Sequence, residues 1–510
     1  MADEHEQNHA ADARAAVLAR LWGALAREPL AGVAGRRVDG TTLVVRLTDG
    51  RDLRGPAGAA EPFAAPPAGL ALDLAGEPYD DPARLVAALP LGPYTARLAA
   101  EVADSVANLT LARAAQPPPD GGPPALVRYA GPGLVALEQC VVDGHPLHPL
   151  CRTRIGLSPA EVRAYAPEHR PLVHLRVYAV PERDWLSTGS GLPPRLLVHP
   201  WQAEHVLDRH PALRPTGETV PARPLMSLRT LALGPGWHVK TAVDVQMTSA
   251  VRTVSPAAVH NGPVVSALLA DLGARAGIGM LREVAAGTVL VDGQPCRSLA
   301  MVRRQAPVPP PGCALLPLAA LAAPSPATGR PLLSEAVTLG YPDRPADFAA
   351  DLVRLLLPPL LRLLQRGAAL EAHGQNTLVL LDGGRPVRLY YRDVGGVRLS
   401  PTRLGAAAPE LRGDLATDDP VVLRTKLFGA LAVVIGELAA TLGREYGTDP
   451  AAVWAVAGQV ARRAVGAGCA DAAALLGPVL PVKATTAMRL AADPLADLWT
   501  TVPNPIAGRA

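Results

Sequence analysis

The order Glu371-x-His373-x-Gln375-Asn376, followed beyond an apolar stretch by Tyr391-Arg392-Asp393-Val394-Gly395-Gly396, gathers residue types that can do chemistry. An asparagine and an aspartate supply the hard oxygen ligands that Mg²⁺ prefers. A histidine and a glutamine beside them can contact phosphate. Residues 377–381 and 387–391 read as two strands, and Asp382-Gly383-Gly384 between them is a turn signal. A hairpin would bring Asp393 back beside Asn376. Kinase-like nucleotide sites use a catalytic-loop Asn and a strand-end Asp in the same way. The same segment also reads as a polar turn with an exposed hairpin.

Two further constellations lie upstream. In Gly144-His145-Pro146-Leu147-His148-Pro149, the prolines fix an extended backbone and forbid a helix. With Arg152 and Arg154, such a rigid loop could aim two imidazoles and two guanidiniums at an anionic ligand; a Pro-rich turn with solvated arginines is the plainer reading. Further on come Ser227, Arg229 and Thr230, then Lys240, then Thr248-Ser249-Ala250-Val251-Arg252. On alternating strands Ser227, Arg229 and Lys240 can share one face. Arginine offers a bidentate fork to phosphate or carboxylate and lysine a point charge, although a solvated sheet face would carry the same residues.

The whole chain must position these residues. Its 510 residues suggest two or three domains, and 49% hydrophobic with 19% charged content fits a globular protein. A net charge of +3 gives no reason to expect a nucleic-acid partner. The three lysines, Lys240, Lys426 and Lys483, stand out where arginine is the default cation. Five scattered cysteines without C-x-x-C spacing argue against a structural zinc site or a disulfide framework. The acidic start resembles no signal peptide, and no apolar run reaches membrane-spanning length, so a cytoplasmic protein without a membrane partner is expected. P-loop, Rossmann and G-x-S-x-G patterns are absent. His5-Glu6-Gln7-Asn8-His9 matches H-E-x-x-H literally, but in a polar, frayed N-terminus it reads as chance.

Periodicity predicts an amphipathic helix over 13–28 through Leu18, Leu21, Trp22 and Leu25, and a hairpin about Asp49-Gly50. Helices are expected over 83–89 and 96–115. Proline-rich breaks at 117–124 and 307–311 mark boundaries. Strands are predicted over 172–180, 195–199, 237–245 and 287–291. Helices follow over 345–370, 420–445, 450–466 and 470–477.

Taken in order, the motifs resemble the IucA/IucC family, the synthetases that build siderophores without a nonribosomal peptide synthetase (NIS synthetases). The resemblance runs through Gly144-His145-Pro146-x-His148-Pro149-x-x-Arg152-x-Arg154-x-Gly156, His199-Pro200-Trp201-Gln202, Ser227-x-Arg229-Thr230, Lys240, Thr248-Ser249-Ala250-x-Arg252, Asn261-Gly262-Pro263, Glu371-x-His373-x-Gln375-Asn376 and Arg392-Asp393, then Lys483, Arg489 and Asn504-Pro505. It covers about 130–510. Arg152 stands where the family usually has lysine, and the N-terminal region is short and offers no matching motif.

The resemblance implies a multi-domain α+β fold shaped as a cupped hand: a thumb-like domain over 1–125, fingers over 126–310 and a palm over 311–510. It implies ATP-dependent, AMP-forming activation of a carboxylate of citrate or a related polycarboxylic acid, then condensation with an amine or alcohol; a homodimer is a family-level expectation. Ser227, Arg229, Thr230, Lys240 and Arg252 would hold the phosphates, with His373, Gln375, Asn376 and Asp393 on the palm side. His145, Lys240 and Arg252 would serve catalysis, and Glu371, Asn376 and Asp393 would hold Mg²⁺. Arg152, Arg154, His148 and Lys483 would meet the acid. Rival readings are a small-molecule kinase of the aminoglycoside-phosphotransferase type, a binding-only relative, and a synthetase of another natural-product pathway.

Overall fold

The computed structural model describes residues 2–60, 62–63, 69–248 and 250–507. The N-terminal helix spans Ala2–Arg27, and the predicted stripe Leu18, Leu21, Trp22 and Leu25 is fully buried. It packs on the helix Thr95–Ala114 beside a five-stranded antiparallel meander that runs from Val33–Asp39 to Glu77–Tyr79. The helix starts earlier than periodicity suggested and takes in residues 5–9. The side chains of His5 and Glu6 lie outside the described ones.

An antiparallel eight-stranded sheet follows, in which Thr230–Gly234, Trp237–Thr241 and Gln294–Gln305 are neighbours. The run read as one strand over 237–245 is two. Trp237–Thr241 belongs to this sheet, whereas Val243–Met247 pairs with Ala250–Arg252 and Arg154–Ile155 in a three-stranded sheet. Hydrophobicity runs through Ala242, but hydrogen-bond partners change there, and only the partners separate two strands.

The last part joins a four-stranded mixed sheet to long helices. Cys313–Pro317, Thr377–Asp382 and Arg385–Tyr391 are antiparallel, and Ile278–Met280 adds in parallel to the last. The helices Pro345–Gln365, Pro420–Tyr446 and Pro450–Gly466 each begin with proline, which is pre-organised for the first turn. Asp419 and Asp449 cap the latter two by accepting the N–H groups of Val421 and Ala451. The first of these helices ends at Gln365 and not near 370, because Ala368–Ala369 pairs with Arg398–Leu399.

The hydrophobic clusters cross the chain order. The N-terminal cluster takes in Leu150, Cys151, Ala484 and Ala487, and the largest cluster unites residues 125–147 and 265–278 with the C-terminal helices.

Candidate active site

The nucleotide-type hairpin forms in the expected register: Thr377 lies opposite Tyr391, and the Arg392 N–H donates to the Asn376 carbonyl at 3.0 Å. Gly383 and Gly384 take φ of 51° and 80°, the left-handed pair that a tight hairpin turn requires. Asp393 follows with φ 71°, a conformation sparsely populated for a residue with a side chain and held where surrounding structure determines it.

Three cations surround the Asp393 carboxylate. Lys240 Nζ donates to it at 2.7 and 3.0 Å, and an Arg304 Nη2 lies 3.7 Å away. Burial pushes the carboxyl up, but Lys240, Arg304 and Arg229 hold it well below the usual carboxylate range. Lys240 sits opposite Thr230 in the ladder, at the end of the Ser227–Thr230 turn that the Thr230 N–H closes on the Ser227 carbonyl at 3.0 Å. Burial lowers Arg229 to about 10, and Arg252 is lowered by burial and by neighbouring Arg154. Both guanidiniums are steadied by backbone carbonyls, Arg229 on Thr253 and Arg252 on Met247 at 2.9 Å. Ser249 lies outside the described residues.

Beside this cluster is a cleft whose lining includes Arg27, His145, Glu371, His373 and Lys483. His145, His148 and His373 share one geometry: Nδ1 accepts the N–H two residues on, at 3.2, 3.1 and 3.3 Å. That bond leaves the ring proton of a neutral imidazole on Nε2. Burial, with His373, Arg20 and Lys483, lowers His145 to about 3, and burial lowers His148 and His373 too, so all three are neutral at pH 7. The rings of His145 and His148 meet edge-on, centroids 6.2 Å apart. Lys426 pairs with Glu371 at 3.1 Å, and Lys483 with Asp497 at 2.7 Å.

Arg152 and Arg154 do not line this cleft. Both are buried and converge on Glu168, each at 3.4 Å. Arg152 also donates to the carbonyls of Val141 and Val142, and Arg154 to that of Thr153. Their forks are committed to the protein.

Among the described residues, no group of three or more His, Cys, Asp or Glu is arranged to hold a metal by itself. Mg²⁺ is usually held by one or two carboxylates plus substrate phosphates, not in an all-protein cage. Asp393 and the adjacent Asn376 fit that regime. Glu371 is braced between Lys426 and the backbone at Gly396, where a Cβ would lie 2.0 Å from its Oε2.

Sequence reasoning missed Arg304, Glu283 and Glu138. Arg304 joins Asp393 to Glu283, which it meets at 2.9 Å. Glu138 holds Arg392 at 2.6 and 2.9 Å and also accepts the Met226 N–H at 2.9 Å, next to Ser227. One buried carboxylate thus ties the phosphate-type turn to the hairpin end. Neither Arg304 nor Glu138 sits in a recognisable motif; the one signal was an acid or base within an apolar run.

The IucA / IucC family model matches residues 133–191 and 195–323. A model described as ferric iron reductase FhuF-like transporter matches 346–496, the part that carries the hairpin. Staphyloferrin A synthase of Staphylococcus aureus is 30% identical over 52% of this chain and 53% of its own length, so the chain spans about half of that relative. The L-2,3-diaminopropanoate–citrate ligase of the same organism is 24% identical over 74% of this chain and 76% of its own. The petrobactin biosynthesis protein AsbB from Bacillus anthracis superposes with TM-score 0.81 at 18% identity, covering 98% of this chain and 96% of that one. ATP-bound aerobactin synthetase IucA from Klebsiella pneumoniae superposes with TM-score 0.78 at 20% identity, covering 98% and 99%. The α+β fold is therefore that of the solved NIS synthetases, and over residues 133–191 and 195–323 the chain is similar to the IucA / IucC family.

Proposed function

We propose that the protein is an ATP-dependent, AMP-forming synthetase that activates a carboxylate of citrate or a related polycarboxylic acid and condenses it with an amine or alcohol. The observation that carries this reading is the convergence of Arg229, Lys240, Arg252 and Arg304 around Asp393, beside a cleft presenting neutral imidazoles. A carboxylate attacking the α-phosphate of ATP brings anion to anion, so charge must be neutralised before the reaction and stabilised during it. Arg229, Lys240 and Arg252 supply fixed positive charge, with Ser227 and Thr230 closing the turn beneath the phosphates. His145 offers an Nε2–H to the reacting phosphate without adding a proton equilibrium near pH 7. His373, Gln375 and Asn376 form the opposite wall. His148 and Lys483 are the candidates for the acid. Mg²⁺, at Asn376 and Asp393 with Glu371 behind them, would screen the phosphate charge. No enzyme nucleophile is needed; the residues hold two substrates in line.

Similarity to a citrate ligase and to an ATP-bound synthetase supports a citrate-linked ligase and ATP use. The division into thumb (1–125), fingers (126–310) and palm (311–510) belongs to the same proposal. A kinase of the aminoglycoside-phosphotransferase type would carry an Asp near His373 as catalytic base, and Gln375 stands where that acid would help. Incubation with ATP, Mg²⁺, citrate and a diamine tests the reading: AMP and pyrophosphate are expected in stoichiometric amounts, and ADP would overturn it in favour of phosphoryl transfer. Hydroxylamine trapping across a panel of carboxylic acids then identifies the acid.

A further inference from the structure

The sequence motifs leave the N-terminal helix without a role, yet that helix reaches the cleft. Arg27, at its end, lines the cleft, and Arg20, about two turns earlier, grips the turn that carries His145. Arg20 is buried, and its guanidinium commits donors to three backbone carbonyls. Nη1 donates to Ala16 at 2.9 Å, which ties the fork to its own helix. Nε donates to the His145 carbonyl at 3.0 Å, and Nη2 to that of Asp143 at 3.3 Å. The Asp143 carboxylate is held instead by Arg113, at 2.6 and 3.0 Å, and lies 3.9 Å from Arg20. Arg20 therefore acts on the main chain of this turn more than on the charge beside it.

The turn has local constraints, and they stop short of the cleft. Gly144 has φ 71°, and a Cβ there would lie 2.5 Å from the Cys151 carbonyl oxygen, so the backbone passes close to its neighbour just before His145. Pro146 keeps His145 extended. The Leu147 N–H on Nδ1, at 3.2 Å, orients the ring. That bond lies within the turn, so it fixes the ring relative to the turn and not the turn relative to the cleft. Arg20 supplies the second constraint, from a helix 125 positions away in the chain. Burial first, then His373 and Arg20, also keep this imidazole neutral. A displacement of about 1 Å at a reacting centre costs about a hundredfold in rate, so the hold on this turn bears on turnover.

We propose that Arg20 is a positioning residue for the reaction: from the N-terminal helix it clamps the 143–145 backbone and so keeps the His145 ring aimed into the cleft. The inference rests on the synthetase reading above, in which His145 meets the reacting phosphate, and gives the N-terminal helix a part in it.

The test uses the full chain with Arg20→Gln, Arg20→Lys and, as a control, Arg113→Gln, which loosens the same turn at Asp143 without removing a bond to His145. AMP release is measured against ATP and against the acid that gives hydroxamate, with unfolding curves to correct for the folded fraction. Arg20→Gln is expected to lower kcat at least about tenfold with both KM values within about twofold, the split of a group felt only in the transition state. Arg20→Lys can still donate to the His145 carbonyl, and its kcat is expected to fall only about threefold. A kcat for Arg20→Gln within about twofold of wild type, a rise in KM in place of the fall in kcat, or an equal fall in Arg113→Gln overturns the proposal. Should Arg20→Gln not fold, a kcat for Arg20→Lys equal to that of the wild type overturns it. If no acid yields AMP with the wild type, the synthetase reading fails, and Arg20 is judged on the ring ¹⁵N shifts of His145 alone. A single neutral tautomer protonated at Nε2 in the wild type, lost in Arg20→Gln, upholds the clamp; the same signature in both overturns it.

Discussion

At the residue scale, Asp393 concentrates the electrostatics of the site. It neutralises Lys240, stands within 4 Å of Arg304 and, from a left-handed backbone, accepts the Gly395 N–H. Asp393→Asn keeps size and hydrogen bonding but removes the charge that the proposed Mg²⁺ site requires. Steady-state kinetics should show kcat/KM falling by about a hundredfold or more, with an unchanged far-UV circular dichroism spectrum. Turnover near the wild-type rate at limiting Mg²⁺ would make Asp393 a structural residue. Arg152 illustrates the opposite outcome. From its position in the motif it was a candidate to clamp the substrate acid, but its guanidinium meets Glu168 and two backbone carbonyls. Removing one partner of a buried ion cluster costs about 3–5 kcal/mol. Arg152→Ala should therefore shift the denaturant midpoint strongly and leave the KM for the acid within about twofold in the folded fraction. A KM effect without loss of stability would restore the clamp.

At the element scale, the site depends on how the 377–391 hairpin is held against the 227–240 turn and strand. Glu138 performs that coupling through Arg392 and the Met226 N–H. Glu138→Gln would leave a buried guanidinium without its counter-charge. We expect the KM for ATP to rise by about tenfold, because the misplaced hairpin weakens the phosphate side, with the acid KM nearly unchanged. Gly396→Ala tests the other end. A Cβ there would lie 2.0 Å from Glu371 Oε2, so the carboxylate must swing off Lys426. Activity should fall while Gly395→Ala, where the nearest atom is Asp393 Oδ1 at 3.4 Å, is milder. The hairpin itself was readable in the sequence because strand alternation and the two turn glycines are local signals. The helix ends were less so: the helix Pro345–Gln365 stops where Ala368–Ala369 finds a strand partner some thirty residues later. The break at Ala242 escaped notice for the same reason.

At the scale of the whole molecule, the chain closes on itself. Ala484 and Ala487 belong to the N-terminal core, Arg489 pairs with buried Glu101, and Glu28 holds the backbone at 486–487. Stability should therefore respond to pH through buried groups shared across these units. Burial lowers His145, His199 and His238 from 6.5 to about 3. Below pH 6.5 the unfolded chain takes up protons that these folded imidazoles refuse, so stability falls as pH falls from 6.5 toward 3. Glu28, raised to about 7, acts oppositely: between 4.5 and 7 the folded state binds the extra proton, and stability falls as pH rises through that window. Three histidines outweigh one glutamate, each contributing on the order of 1–2 kcal/mol between pH 6.5 and 5. The apparent melting temperature should drop by several degrees from pH 7.5 to pH 5; no drop would mean that these imidazoles are solvated.

The sequence by itself determined the local devices and their order: the 377–391 hairpin, the proline-locked 144–149 loop, the capped C-terminal helices and the amphipathic N-terminal helix. Each follows from side-chain period, turn chemistry or fixed proline geometry within a few residues. Only the tertiary structure decided which charges meet. Arg304 reaches Asp393 from a strand 89 positions earlier in the chain, Glu138 reaches Arg392 across 254 positions, and Glu28 reaches Thr486 across 458. It also paired Arg152 and Arg154 with Glu168. Coulomb interactions depend on distance through space, and the chain alone carries only distance along itself.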